Sequence, residues 1–147
     1  MFARILTASL ALNLLPGPGL AAGAYAVGLD GDASHGFAFG SVYDVKNAEI
    51  AKFDALQMCR QYGFDYPEAR AAAGNCAVVS AFTRQCFALA LDPKPGTPGY
   101  GLATAGTQDA ANAQAVRNCQ QTSASDRKPF CAVDTTGCDT KDGDEGK

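Results

Sequence analysis

The chain has no tryptophan, only one histidine (His35), and no pair of cysteines at C-x-x-C spacing. A single imidazole disfavours a zinc site that combines several histidines with cysteines. The G-x-S-x-G elbow, the P-loop and the H-E-x-x-H helix are also absent. Lysine and arginine are scattered and the net charge is −3, so composition does not favour nucleic acid. We therefore expect no metal, no cofactor and no catalytic residue, which favours a binding protein over an enzyme.

Long apolar stretches are absent except near the N-terminus, where Arg4 precedes an apolar run over residues 5–15 and a Pro-Gly pair. This layout predicts a secretory signal peptide over residues 1–24, cleaved after Ala24 or alternatively after Ala21. The run has about 11 residues, short of the roughly 20 that a membrane span needs. We expect a periplasmic or extracellular protein with no membrane association after cleavage.

All six cysteines follow that segment: Cys59, Cys76, Cys86, Cys119, Cys131 and Cys138. An even number of cysteines in an exported chain of this size predicts a disulfide framework.

An internal repeat organises the rest of the chain. "NAEIAKFDALQMC" (47–59) aligns without a gap with "TQDAANAQAVRNC" (107–119). Asn47 and Thr107 are good helix N-caps, and alanines and a cysteine recur every four residues on one helix face. Short apolar runs flank each helix: "AYAVGLD" aligns with "CFALALD", "GFAFG" with "GYGLA", and "CAVVSAF" with "CAVDTT".

Each half is therefore predicted to run strand, strand, helix, strand. We predict an α+β domain over residues 25–138, made of repeats 25–85 and 86–138. The two repeats are expected to form one antiparallel-rich sheet with two packed helices. Residues 139–147 contain no apolar side chain and are predicted to be a disordered acidic tail.

The repeat also favours one disulfide pairing among the many that six cysteines permit. Cys59–Cys76 and Cys119–Cys131 each tie a helix end to the next strand. Cys86–Cys138 remains, and we expect it to join the two halves.

An insertion after the first helix has no matching counterpart in the second half. Pro67 and Gly74 bound a short extra helix there. Tyr62, Phe64 and Tyr66 lie beside it and form a candidate partner-binding patch if they are exposed, because aromatic side chains dominate interface hot spots.

The stretch "GLDGDASHGFAFG" (28–40) resembles a calcium loop, since Asp30, Asp32 and Ser34 alternate. The glycine and glutamate that such a loop needs at its sixth and twelfth positions are missing. We predict a hairpin whose polar side chains bond nearby backbone, with His35 facing solvent.

A carboxylate pair for glycoside hydrolysis remains an alternative. Its candidates are Asp44, Asp54, Asp65 and Glu68.

The order of the cysteines and the paired A-x-x-x-A-x-x-x-C helices resemble the bacterial domain-of-unknown-function family 4189, over Tyr25 to Asp139. Many members have tryptophan in the strands before the third and sixth cysteines, which this chain lacks. The resemblance implies a small secreted or periplasmic α+β domain with disulfides and no established catalytic residues. Some exported members look like immunity proteins against antibacterial toxins or like host-directed effectors. We therefore expect a protein partner, with an effector aimed at host cells or a small cell-wall hydrolase as alternatives.

Overall fold

The computed structural model describes residues 21–140. The strands are β1 (Ala22–Asp30), β2 (Asp32–Val45), β3 (Ala77–Phe82), β4 (Cys86–Leu91), β5 (Tyr100–Ala105) and β6 (Ala132–Cys138). The helices are α1 (Ala48–Asp65), α2 (Arg70–Gly74) and α3 (Gln108–Thr122), with 3₁₀ turns at Pro67–Ala69 and Lys128–Phe130. The predicted order of strand, strand, helix and strand is present in both halves, and the predicted extra helix lies in the insertion.

The strands form two antiparallel three-stranded sheets, ordered β2-β1-β3 and β5-β4-β6. The prediction of one sheet is therefore wrong. Each half forms a complete sheet around its own first strand. One face of each sheet packs against a helix and the other meets the opposite sheet through an aromatic cluster, while the outer strands β3 and β6 remain largely exposed. This arrangement gives four layers in the order helix, sheet, sheet, helix.

The two long helices, α1 and α3, begin at the predicted caps. The Ile50 N–H donates to the Asn47 side chain at 3.0 Å, and the Ala110 N–H donates to the Thr107 hydroxyl at 3.3 Å. These bonds satisfy backbone groups that a helix start leaves unpaired. The predicted small face is the buried face: Ala51, Ala55, Cys59, Ala111, Ala115 and Cys119 are all 0 % exposed.

Two glycines allow the helices to lie close against the sheets. A Cβ added at Gly40 would lie 2.4 Å from the Ala55 carbonyl oxygen, and one at Gly101 would lie 2.2 Å from the Ala115 carbonyl oxygen. Gly40 pairs with Ala26 across the first sheet and Gly101 pairs with Ala90 across the second. Ala26 therefore corresponds to Ala90.

The alignment of the strands predicted from the sequence repeat is therefore wrong by two residues. It placed Ala26 over Ala88 and Gly40 over Ala103, whereas the structure matches Ala26 with Ala90 and Gly40 with Gly101. A shift of two keeps every side chain on the same face of its strand. The apolar pattern cannot detect such an error.

The layer between the sheets is aromatic. Phe87 at its centre is 0 % exposed and lies 6.0 Å from Tyr25 and 5.7 Å from Phe82, ring centroid to ring centroid. Phe39 and Leu102 complete this cluster from the second strand of each sheet. Full burial of a side chain of this size stabilises a fold by about 1.5–3 kcal/mol, so this layer holds the two halves together.

The structure contains three disulfides, Cys59–Cys76, Cys119–Cys131 and Cys86–Cys138, which are the pairs that the repeat favoured. The first two tie equivalent helix ends to the strands that follow. The third has a different role from the one expected. It links β4 to β6 within the second sheet, where the two cysteines are register partners, and does not join the halves.

The described residues include both predicted boundaries of the domain, residues 25 and 138. The predicted signal peptide falls outside the described residues up to position 20, while Ala22 and Ala24 are buried residues of β1. At the other end, the buried Asp139 accepts a hydrogen bond from the Arg84 N–H at 2.9 Å. Asp139 is the first residue assigned to the acidic tail, and residues 141–147 lie outside the described range.

Candidate functional site

Two clefts open along the edges of the four-layer sandwich, and the internal repeat relates them. Each forms where the first and third strands of one half meet the second strand and the helix end of the other half. The pair offers an internal comparison, because the same framework is lined differently on the two sides.

The narrow groove has a volume of about 540 Å³. Apolar side chains from β1, β3 and β5 form most of its wall, and the end of α3 closes it. It is lined by Val27, Leu29, Asn75, Val79, Tyr100, Gly101, Leu102, Asn118, Gln121 and Thr122. The Thr122 hydroxyl donates to the Tyr100 carbonyl oxygen at 2.8 Å, so this helix end is bonded to the edge of β5.

The wide cleft has a volume of about 740 Å³ and a more polar wall. Its sides come from the start of β2, the end of α1, the turn Pro67–Ala69, the loop after β4 and the start of β6. The chemically distinctive lining residues are His35, Phe37, Tyr62, Tyr66, Glu68, Asp92, Lys94 and Asp134.

Two matched positions account for much of this difference. The disulfides Cys59–Cys76 and Cys119–Cys131 are equivalent in the two halves. Tyr62 and Thr122 each lie three residues after the helix cysteine of their disulfide. Val79 and Asp134 each lie three residues after the strand cysteine. The wide cleft thus has an aromatic ring and a carboxylate where the narrow groove has a small alcohol and a valine.

Tyr62 and Tyr66 stack on one another at the end of α1, with ring centroids 4.4 Å apart. Tyr62 is half-buried and Tyr66 is 47 % exposed. Burial is the largest cause that raises the pKa of Tyr62 above its usual value, followed by nearby Tyr66, Asp134 and Glu68. The two carboxylates therefore add, after burial, to the rise in the pKa of Tyr62.

Asp92 has a structural role in the wall of this cleft. Its side chain is 0 % exposed and accepts two hydrogen bonds from Arg127, from Nε at 2.8 Å and from Nη2 at 2.5 Å. The Lys94 N–H adds a third bond at 3.0 Å. The Arg127 hydrogen bonds are the main cause that holds the pKa of Asp92 low, at about 2.

Arg127 also stacks over the Phe130 ring, 4.1 Å from its centroid. The Asp92–Arg127 pair therefore fixes the loop after β4 to the segment that precedes β6.

The hairpin that the sequence first presented as a calcium loop forms one lip of the wide cleft. It turns at Gly31, whose φ of 78° suits glycine. Asp32 accepts a hydrogen bond from the Ser34 N–H at 2.7 Å, as expected of a turn former. His35 Nδ1 lies 3.4 Å from Asp32 Oδ1, and both side chains are largely exposed. Asp30 is also exposed.

The predicted aromatic patch is divided between two sides of α1. Tyr62 and Tyr66 line the wide cleft. Phe64 is 82 % exposed and lines a separate pocket of about 270 Å³ with Arg60 and Arg70. The three aromatics therefore do not form one surface, because helical geometry directs residue 64 away from residues 62 and 66.

Of the four candidate carboxylates for hydrolysis, only Glu68 lines the wide cleft. Within residues 21–140, no three His, Cys, Asp or Glu side chains cluster as a metal site. Asp134 and Asp92 were not predicted as site residues from the sequence. Comparing the residues three positions after each paired cysteine would have singled out Asp134.

No helix in the described part of the chain is long and apolar enough to cross a membrane. No cysteine in that part is free. Three disulfides indicate maturation in an oxidising compartment outside the cytoplasm.

Neither the curated proteins nor the solved structures provide a significant match to this chain. A family model, described as "Domain of unknown function (DUF4189)", matches residues 22–138. This match begins at the first residue of β1 and ends at the last residue of β6. It covers the whole double strand–strand–helix–strand unit, and the chain therefore belongs to the DUF4189 family.

Proposed function

We propose that this protein is an exported, non-enzymatic binding domain that recognises a protein partner through the wide cleft. The observation that supports it is the contrast between the two related clefts. The framework is repeated, but only one side carries the stacked Tyr62–Tyr66 pair with Glu68 and Asp134. Aromatic side chains concentrate binding energy at protein interfaces.

The architecture suits such a role. Disulfides crosslink each half, the aromatic layer around Phe87 holds the halves together, and the Asp92–Arg127 pair fixes the loop after β4. Preorganised walls reduce the ordering cost of binding. A toxin inhibitor or immunity protein of the periplasm fits this description, and a secreted effector that binds a host protein is the alternative within the same proposal.

Affinity capture tests the proposal. Untagged protein with intact disulfides is coupled to a resin and exposed to periplasmic extract, culture supernatant and host-cell lysate. We expect one saturable partner, eluted by free domain. Its source separates an immunity role from a host-directed role.

Reduced and alkylated protein is the matched control, because it has the same sequence and is expected to unfold without its three disulfides; loss of the native circular dichroism spectrum checks this. Retention of the same partner by this control, or no saturable partner in any of the three samples, would contradict the proposal.

A further inference from the structure

We infer that the wide cleft is a site for a positively charged side chain, a lysine or arginine of the protein partner. The inference deepens the proposed function and rests on it. Three observations support the inference: the stacked Tyr62–Tyr66 pair, the two carboxylates of the lining, and the contrast with the narrow groove.

The aromatic part of the site lies at the end of α1. Tyr66 remains 47 % exposed while its ring stacks on Tyr62, so one ring surface of the pair is available to a ligand. The face of a tyrosine ring attracts a cation because the ring quadrupole is negative there. The narrow groove, with Val79 and Leu102 in its wall, is an equally suitable site for an apolar ligand. The features that distinguish the wide cleft are therefore the ones that favour a cation.

The electrostatic part comes from Glu68 and Asp134, which are both exposed residues of the lining. Both carboxylates are near enough to disfavour ionisation of the Tyr62 hydroxyl. The charge of Asp92 is offset by its bidentate bonds with Arg127.

One lysine belongs to the same lining. Lys94 opposes the field of Glu68 and Asp134. His35 lies beside Asp32 at the lip. The two carboxylates of the lining, Glu68 and Asp134, therefore outnumber the opposing lysine, and the side with the aromatic pair favours a cation.

Binding of a defined peptide tests the inference without the natural partner. The probe is acetyl-Gly-Lys-Gly-Lys-Gly-amide, compared with the same peptide acetylated on both lysines and with its glutamate analogue. His35 is the sole histidine, so its ring signal in the NMR spectrum of untagged protein reports on the lip of the cleft. We expect saturable shifts of His35 and of the Tyr62 and Tyr66 rings with the lysine peptide alone, weakened by added salt.

Variants then locate the charge. Glu68→Gln and Asp134→Asn are each expected to weaken binding roughly two- to fivefold, the range of exposed charge pairs. Tyr66→Ala should weaken it by a similar factor through loss of the ring face. Lys94→Gln should tighten binding.

Glu49→Gln is the control, since it removes one negative charge from the same helix about 20 Å from Tyr62 at 1.5 Å per residue. All of these positions are exposed, so the variants are expected to fold.

The inference is overturned if the acetylated or glutamate peptide binds as well as the lysine peptide. It is also overturned if Glu49→Gln weakens binding as much as Asp134→Asn. Capture of a partner together with failure of the lysine peptide would reject this inference and leave the proposed function standing. Peptide binding without any captured partner would reject the proposed function alone.

Discussion

At the scale of single residues, two glycines and one buried ion pair fix the positions of particular elements. Gly40 and Gly101 are the positions where a helix backbone lies against a strand, and no side chain fits there. Asp92 is the buried acid on which the loop after β4 depends. Each feature leads to a prediction.

Substitution of Gly101 by alanine is expected to lower the free energy of unfolding by about 3 kcal/mol or more, at or above the upper end of overpacking costs. The new Cβ would lie 2.2 Å from both the Ala115 carbonyl oxygen and the Cys119 nitrogen, so α3 has to move. Gly106→Ala is the control, because nothing lies within 4 Å of a Cβ there, and it should change stability by less than about 0.5 kcal/mol. Urea unfolding measures both. Equal stabilities of the two variants would show that α3 is not packed as described.

The Asp92–Arg127 pair predicts a specific pH dependence. The pKa of Asp92 is about 2 in the folded protein, against roughly 3.9 in an unfolded chain. Its stabilising contribution is therefore complete above about pH 4 and is lost as the pH falls towards 2. Asp92→Asn should lower Tm at pH 7, and the gap in Tm from the wild type should shrink between pH 4 and pH 2.

A Tm gap for Asp92→Asn that stays constant from pH 7 to pH 2 would contradict this account.

At the scale of elements, local signals predicted well what local forces decide. Asn47 and Thr107 mark the helix starts because a side-chain cap acts within three residues. The alanine and cysteine positions mark the buried helix faces, since the helical period is fixed. Two of the three disulfide pairs follow from the same repeat, because their cysteines lie at equivalent element ends, and Cys86–Cys138 is the pair that then remains.

Strand partners and register were not predictable in the same way. A shift of two residues leaves Ala26 and Gly40 on the same face of their strands, so the apolar pattern of the sequence does not reveal the shift. Whether six strands form one sheet or two depends on what covers each face. Here Phe87 and Tyr25 meet across two sheets, which is a contact between residues far apart in sequence.

The start of β1 predicts where the exported protein begins. Ala22 and Ala24 are 1 % and 0 % exposed and belong to a ladder of pairs with β2. Of the two predicted cleavage sites, the one after Ala21 keeps these residues, so intact-mass measurement of the exported protein should give an N-terminus at Ala22. As a check on the reason, a version that starts at Tyr25 should have a lower Tm than one that starts at Ala22. Equal Tm values would mean that the first residues of β1 do not contribute.

At the scale of the whole molecule, two similar halves pack face to face and create two related clefts. The wide cleft was not visible in the sequence, because residues from β2, α1, β4 and β6 meet only when the sheets pack. Tyr62 and Tyr66 were singled out by composition alone, together with Phe64, which the helix directs elsewhere. The internal repeat nevertheless holds the useful comparison, since Asp134 and Val79 occupy matched positions.

The central claim is that the partner binds at the wide cleft and not on the opposite side of α1. The most direct measurement is the affinity of the captured partner for Tyr66→Ala and Phe64→Ala, two variants of exposed aromatics two residues apart. We predict that Tyr66→Ala weakens binding severalfold while Phe64→Ala binds as the wild type does. Loss of binding in Phe64→Ala with full binding in Tyr66→Ala would contradict the claim and move the site to the pocket of Phe64, Arg60 and Arg70.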